Sequence, residues 1–493
     1  MFSDAGLITW ESYFPNAQIT SGEFGPYGAS LFMDVYKALD VQPGIPHVGP
    51  NATALAVEDL SPVLASAEMR EEQLNLWNNM PKEEAYSLDV EFTRLETFGE
   101  DGMDGFIASN DAGIVSDPRF YRGLKTVKYL AVKGQVTLPA QAVNLVGFRG
   151  VGKNAMDTSE EIKMRELLRH IERNLWWGNS TVNPLMWDGF FKQIDDGADM
   201  QNSIRLDMQG APADKNLLEY VAQIATNNST EFTDLYFPNE GIRDLRQSLF
   251  PEQRLNENAR DGSVGAAFDR FLVEALNGNP RYMQIRRNQM LTLGVKGGIP
   301  RNIPPNTSVN GPSSSGATVT GAGAANVALP YRPGLPAGTY YYTAVPVGKG
   351  GWGAPVTSAG IAATIGQKIN LTISFADATI EYFLLFRNPA DQQTSATSAQ
   401  KFMAMVNRSG GSTTYTDDGY AVPNTYHICG LTMTSDEIVF KQLLPVVKRP
   451  LPQDLMSNSY GILMFGTPLF KVPLHNLHVV NVGSLSQAGI TSM

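Results

Sequence analysis

The sequence predicts an α+β core interrupted by an all-β module, and three observations carry that expectation. Two strand-like runs flank a long Gly/Asp-rich connection near residue 100. A long helix with a single apolar stripe follows at 158–177. Charge then nearly vanishes from 302 to 430, where 11 of 129 residues are charged against 76 of the other 364, so this stretch differs in kind from the chain on either side.

Residues 1–84 open the chain. The first 56 are rich in Gly, Pro and aromatics without a clear period, as expected of an extended arm that gains order by lying on something else. A short helix is expected around Leu64–Trp77, ending before Pro81. From Ala85 to Glu96 the pattern alternates: Tyr86, Leu88, Val90 and Phe92 point one way and Ser87, Asp89, Glu91 and Thr93 the other, a half-buried strand. Four glycines and four aspartates fill the stretch from Thr97 to Pro118, and strand character resumes at Leu124, Val127, Tyr129, Ala131 and Val132. Residues 85–140 therefore read as a protruding hairpin with a long tip, and tips of that length are usually functional.

A core segment is expected over 141–299. Its clearest element is the helix opened by Asp157-Thr158-Ser159-Glu160-Glu161, where Thr158 and Glu161 have capping-box spacing. Met164, Leu167, Leu168, Ile171 and Leu175 line one face, and Gly178-Asn179 stop the helix. Helices are also expected near Ala213–Thr226, Asn239–Leu249 and Ala266–Leu276. The 297–330 tract of Gly, Ser, Pro, Ala and Asn reads as a linker into a β-sandwich spanning 300–430. Its strands are expected at Thr339–Val347, around Ile369–Phe375 and at Ile380–Phe386, with Asp417-Asp418-Gly419 as the last turn. Residues 431–493 return to the core, with an apolar and helical Glu437–Val447 and closing strands at Tyr460–Phe465, Leu469–Val472 and Leu477–Val482.

Composition narrows the function. The net charge of −11 opposes clamping of nucleic acid along the chain, so any nucleic acid nearby would be enclosed. A single cysteine, Cys429, excludes an internal disulfide and a thiolate metal cluster. The first residues lack a basic segment ahead of an apolar run, and no apolar stretch approaches bilayer-spanning length, so a soluble, reducing compartment is expected without membrane association.

The chemical motifs fail on specifics. Gly147-Phe-Arg-Gly-Val-Gly-Lys-Asn154 approximates a phosphate-binding loop, but Asn154 stands where Mg²⁺ needs a Ser or Thr hydroxyl, so a glycine-rich connection is the expectation. His475 and His478 sit at i, i+3 in a strand-like region, where they would face opposite sides, with no acidic partner nearby on the chain. The pairs Asp195-Asp196 and Asp417-Asp418 should diverge into solvent rather than act as acid and base. No nucleophile–base set stands out, so neither catalysis nor a cofactor is expected. The aromatic clusters Trp176-Trp177, Trp187 and Phe190-Phe191, and Tyr340-Tyr341-Tyr342 with Trp352, read first as core.

The order of these elements is more informative than any motif. Asp117-Pro-Arg-Phe-Tyr-Arg122 leads into Val127–Thr137, the long helix covers Asp157–Trp177, Trp177-Gly-Asn-Ser180 and Asp188-Gly189-Phe190 follow it, and Leu443–Pro450 and Gly466–Gly483 close the chain. This order resembles the major capsid proteins of tailed bacteriophages, the Hong Kong 97-type fold with its N-terminal arm, extended loop, spine helix and α/β core. The 300–430 insert is similar to immunoglobulin-like or fibronectin type III domains, through Gly338–Val345 and Ile380–Arg387. The resemblance implies a non-enzymatic protein that assembles with itself, as hexamers and pentamers, into an icosahedral virion shell made in the host cytoplasm. It implies scaffolding, portal and decoration partners and double-stranded DNA enclosed without sequence-specific contacts. The inter-subunit contacts it implies are Phe106, Ile107, Arg119, Phe120, Trp176 and Trp177. No lysine lies between Thr97 and Arg122, so a lysine cross-link from the loop is not expected, and residues 1–56 do not resemble a charged scaffolding segment. An encapsulin-type compartment shell, another virion component such as a tail protein, and a secreted carbohydrate-active enzyme are the alternatives.

Overall fold

A computed structural model describes residues 74–97, 117–142, 155–197, 204–228, 230, 232–253, 270–273, 281–294, 298–305, 307–326, 334–389, 395–452 and 456–484. The expected arm over 1–56, the tip of the hairpin and the glycine-rich 147–154 motif lie outside them. All the described residues belong to one unit, Ala67–Val143 with Asn154–Met493. It is mixed, with few helices and many strands.

The long helix spans Ala155–Trp177. It starts before Thr158, so that residue lies in the first turn and not at the cap. Leu167, Ile171, Leu175 and Trp176 are wholly buried, whereas Leu168 is half-buried and Met164 is 36% exposed. The buried stripe is thus the i, i+4 row through Leu167, centred slightly round the helix from the predicted one. It packs on a four-stranded sheet in the order Lys82–Glu84, Ile438–Pro450, Ser457–Phe470, Lys128–Thr137. Ser159 Oγ and the Tyr460 hydroxyl, 2.7 Å apart, pin the start of the helix to it.

Two of the expected closing strands merge into the single strand Ser457–Phe470, and the helix expected at Glu437–Val447 is a strand, Ile438–Pro450. Ile438, Val439, Phe440, Val446 and Val447 favour a pleated surface, and Pro445 would break a helix interior. The pairing with Ser457–Phe470 shifts register on both sides of Leu444, next to that proline.

A second, six-stranded sheet runs Arg205–Asp207, Leu477–Val482, Tyr426–Leu431, Asp234–Phe237, Arg281–Arg287, Arg270–Val273. The last of these replaces part of the helix expected at Ala266–Leu276. Alternation divides its faces: Leu235, Phe237, Tyr426 and Ile428 pack with helix Lys215–Asn227, while Tyr236 and Cys429 face the long helix. The Asp214 carboxylate caps Lys215–Asn227 by accepting from Leu217 N at 3.0 Å. Tyr426–Leu431 is interior to this sheet, so the expected boundary at 430 falls inside a core strand.

Between the two sheets' segments, Tyr342–Gly348, Ile380–Arg387 and Lys401–Asn407 form one sheet with two short strands, and Ser412–Asp417, Lys368–Ser374 and Thr318–Ala324 form another. Tyr342, Ala344, Phe383 and Leu385 meet Val319, Ile369, Leu371 and Ile373 to make a shared core. Residues 318–324, expected in a linker, are therefore a strand; Gly321 lies so close that an added Cβ would sit 2.7 Å from Ile361 and 2.8 Å from Leu371. Ile380–Arg387 is buried on both faces except at Glu381. Its second face, Tyr382, Leu384 and Phe386, packs with Phe402 on Val182, Leu293 and Ile299 of the α+β core. Asn183 donates to Glu381 at 3.1 Å and Arg173 to the Tyr382 hydroxyl at 3.3 Å across this seam. Asp417, expected in solvent, is 1% exposed by its side chain and pairs with the buried Arg387, while the Tyr342 hydroxyl donates to it at 2.8 Å.

Candidate assembly surface

Among the described residues Asp89–Thr97 and Arg119–Thr126 pair with each other and with no other strand, as an antiparallel ribbon. Opposed residues share a face, which sorts the ribbon into two different surfaces. On one, Val90 joins the buried cluster of Val127, Val439 and Leu469, and the Phe92 ring covers Gly123, where an added Cβ would lie 2.3 Å from it. Farther out on this face the Arg94 guanidinium lies 4.2 Å from the Tyr121 ring centre. Lys125 Nζ donates to Asp188 at 2.9 Å, and Asp188 also accepts from Ser180 N and Oγ at 3.1 and 2.6 Å. Burial acts to raise the Asp188 carboxyl, but Ser180 and Lys125 outweigh it and hold the group below its ordinary value. The ribbon is thereby anchored at its base to the turn after the long helix.

The other face is exposed among the described residues. Leu95 opposes Phe120 and Glu91 opposes Leu124, with side-chain-bearing residues 42%, 63% and 56% exposed at Leu95, Phe120 and Leu124. Glu91 and Arg122 pair between them. Tyr86 and Leu88, expected on a buried face, are also exposed, because the half-burial predicted for the whole run reaches only Val90 and Phe92. Two strands alone are marginal in water, and a cross-strand aromatic–leucine pair is stabilised by cover.

Of the six predicted contacts, Phe106 and Ile107 lie outside the described residues. Arg119 and Phe120 begin the ribbon's return strand and are exposed. Trp176 is a correction. It is fully buried in its own chain, edge-on to Phe190 at 5.5 Å and Tyr236 at 5.3 Å, so it has no surface for a neighbour. Trp177 is likewise engaged internally: its ring meets Phe191, Phe402 and His427, and its Nε1 donates to Met290 O at 3.0 Å. Helical spacing alone does not separate a core tryptophan from an interface one. Leu95 falls off the alternating set that reads as buried, and Leu124 reads as a strand residue with no face assigned; the available signal is Leu95 itself, which breaks that set.

The histidines also find partners the chain order hides. His475 Nδ1 lies 2.9 Å from Glu437, and His478 Nδ1 lies 2.7 Å from Asp195. His478 Nε2 is 3.0 Å from His427 Nδ1, and Phe191 stacks on His478 at 4.3 Å. Burial works to raise the Asp195 carboxyl, but His478 and Arg205 outweigh it and hold it below its usual value. Burial, with His478 beside it, pushes His427 down to about 3, so the ring is neutral. These imidazoles are engaged with each other and with Asp195, and no group of three or more His, Cys, Asp or Glu among the described residues is arranged to hold a metal. Asp196, adjacent to Asp195, turns outward to Lys192. No described helix is long and apolar enough to cross a membrane.

The described residues form a mixed core carrying a two-stranded ribbon whose Leu95, Phe120 and Leu124 are exposed. No family model and no curated protein matches the sequence. Among solved structures the chain is similar to an encapsulin complex from Synechococcus elongatus, at 7% identity and a TM-score of 0.37 over 89% of this chain and 100% of that one. It is similar to the capsid of a native GTA particle, at 6% identity and 0.41 over 88% and 98%. It is also similar to the capsid of cyanophage P-SCSP1u, at 9% identity and 0.39 over 90% and 100%.

Proposed function

We propose that this chain is a shell-forming structural protein, the major capsid subunit of a phage-type icosahedral head. The single observation that carries the reading is the ribbon Asp89–Thr97/Arg119–Thr126, fixed at its base by Lys125–Asp188 and bare on the Leu95–Phe120–Leu124 face. The occupant of that face is a neighbouring copy of the same chain. Repetition around a closed symmetric shell lets individually weak contacts add up. The order of elements in the sequence, with its resemblance to tailed-phage capsid subunits, supports the same reading. The net charge of −11 fits a wall that confines double-stranded DNA without gripping it. The sandwich whose strands run from Thr318 to Asp417, similar to immunoglobulin-like modules, serves as an outward-facing addition to the shell, and scaffolding and portal proteins act in assembly.

Limited trypsin digestion tests the ribbon's part in this. Cleavage after Arg119 and Arg122 should be rapid in dissociated protein and suppressed in assembled particles, because lying on a neighbour orders a segment at about 1–2 kcal/mol per residue fixed. Equal cleavage in both states would remove the ribbon from the inter-subunit contacts.

A further inference from the structure

Glu172 has a different environment from every other carboxylate described above. It lies on the long helix beside the apolar row, and its side chain is wholly enclosed. Its three donors are all neutral. Leu76 N donates to Oε1 at 3.0 Å, Trp77 N to Oε2 at 2.8 Å, and Asn288 Nδ2 to Oε1 at 2.6 Å. Two of these are main-chain amides of the segment 74–80, which includes the short helix Asn75–Asn79. Asn288 is itself fully buried and is fixed by accepting from Met290 N at 2.9 Å. Asn75 Nδ2 also donates to Arg287 O at 2.7 Å and Asn79 Nδ2 to the Tyr236 hydroxyl at 3.4 Å, while Leu76 and Trp77 seat in the core.

Among the described residues no cation is paired with Glu172. Segment 74–80 carries no titratable group, and Lys82 beyond it lies over the Trp77 ring at 4.3 Å. Strand Asp234–Phe237 supplies Asp234 and the Tyr236 phenol, and Asp234 is paired with Arg286 of the neighbouring strand, where Arg287 also lies. The turn Gln289–Leu291 brings none. On its own helix Arg169, His170 and Arg173 flank it in sequence. Its three N–H donors favour the ionised form, but a carboxylate this enclosed, with no cation paired to it among the described residues, is costly when ionised.

We propose that Glu172 is a proton-controlled latch: protonated, it holds segment 74–80 on the core, and ionised, it loosens that segment. Burial is the main cause that pushes this carboxyl up to about 7, against the downward pull of Asn288, Trp77 and Leu76. With the segment undocked the carboxyl meets water and returns toward 4.5. The docked form therefore takes up the proton, so docking is strongest in acid, weakens as pH rises from 4.5 to 7, and is constant above that. The latch is a property of the single chain and does not depend on the shell reading.

Hydrogen exchange on the full-length protein at pH 5.5 and pH 8, corrected for intrinsic rates, reads it directly. The opening constant of the Leu76 and Trp77 amides should rise about 30-fold between these pH values, relative to the interior strand amides of Val479 and Val480. In Glu172→Gln the amides should lose that pH dependence, whatever their absolute protection. Asp234→Asn should keep it. A flat wild-type profile would overturn the proposal by itself, even if Glu172→Gln failed to fold. So would an unchanged slope in Glu172→Gln, or a slope abolished by Asp234→Asn.

Discussion

Replacing Ile171 by alanine removes three carbons from a site with no exposure, between Leu167 and Leu175 on the long helix. At about 0.8 kcal/mol per buried methylene the transfer loss is about 2.4 kcal/mol. The cavity left in a cluster that includes Trp176, Phe190 and Tyr460 adds to it, and measured losses for such changes run to about 2–5 kcal/mol. The better helix propensity of alanine returns at most about 0.5 kcal/mol. Ile162→Ala makes the same chemical change on the same helix where the side chain is 50% exposed, so its net effect should lie within about 0.5 kcal/mol of zero. Denaturant titration followed by tryptophan fluorescence compares the two midpoints, and near-equal slopes confirm that the same transition is measured. Equal midpoint shifts for Ile171→Ala and Ile162→Ala would refute the placement of the helix on the sheet.

Three further outcomes follow from the same geometry. Arg387→Met leaves Asp417 enclosed without its cation and should destabilise the sandwich by about 3–5 kcal/mol in thermal unfolding, while Lys192→Met at the exposed Asp196 pair should change little. His427 is neutral in the fold and its unfolded form takes up a proton below about 6.5, so stability should fall by about 1.4 kcal/mol per unit as pH drops from 6.5 toward 3. Urea midpoints across that range should show a shallower slope for His427→Phe. Replacing 302–430 with a Gly/Ser linker removes Tyr426, Ile428 and Cys429 from the middle of the six-stranded sheet and should abolish soluble protein, whereas a replacement that ends before Tyr426 should retain the core's circular dichroism.

Legibility in the sequence followed local periodicity. The long helix, the Lys215–Asn227 helix and the strands at 368–374 and 380–387 were readable because one period persists through each of them. Ile438–Pro450 was misread because an apolar run looks alike in a helix and a buried strand, although Pro445 was a visible warning. Thr318–Ala324 looked like a linker because a strand of Thr, Val, Gly and Ala carries little pattern, yet small residues are what its close approach to Ile361 and Leu371 requires. The ribbon was legible as two strands, but which face is bare depends on what the core covers, and that ends at Val90 and Phe92. Partnerships such as Asp195 with His478, or Glu172 with segment 74–80, span 283 and 95–96 residues and have no local signature.

Electron microscopy of the purified full-length chain and of Phe120→Asp tests the central claim most directly. The wild-type protein should form closed shells, and a charge placed opposite Leu95 on the bare ribbon face should leave folded single subunits with unchanged circular dichroism. Wild-type protein that stays monomeric under all assembly conditions, or Phe120→Asp shells indistinguishable from wild type, would contradict the account.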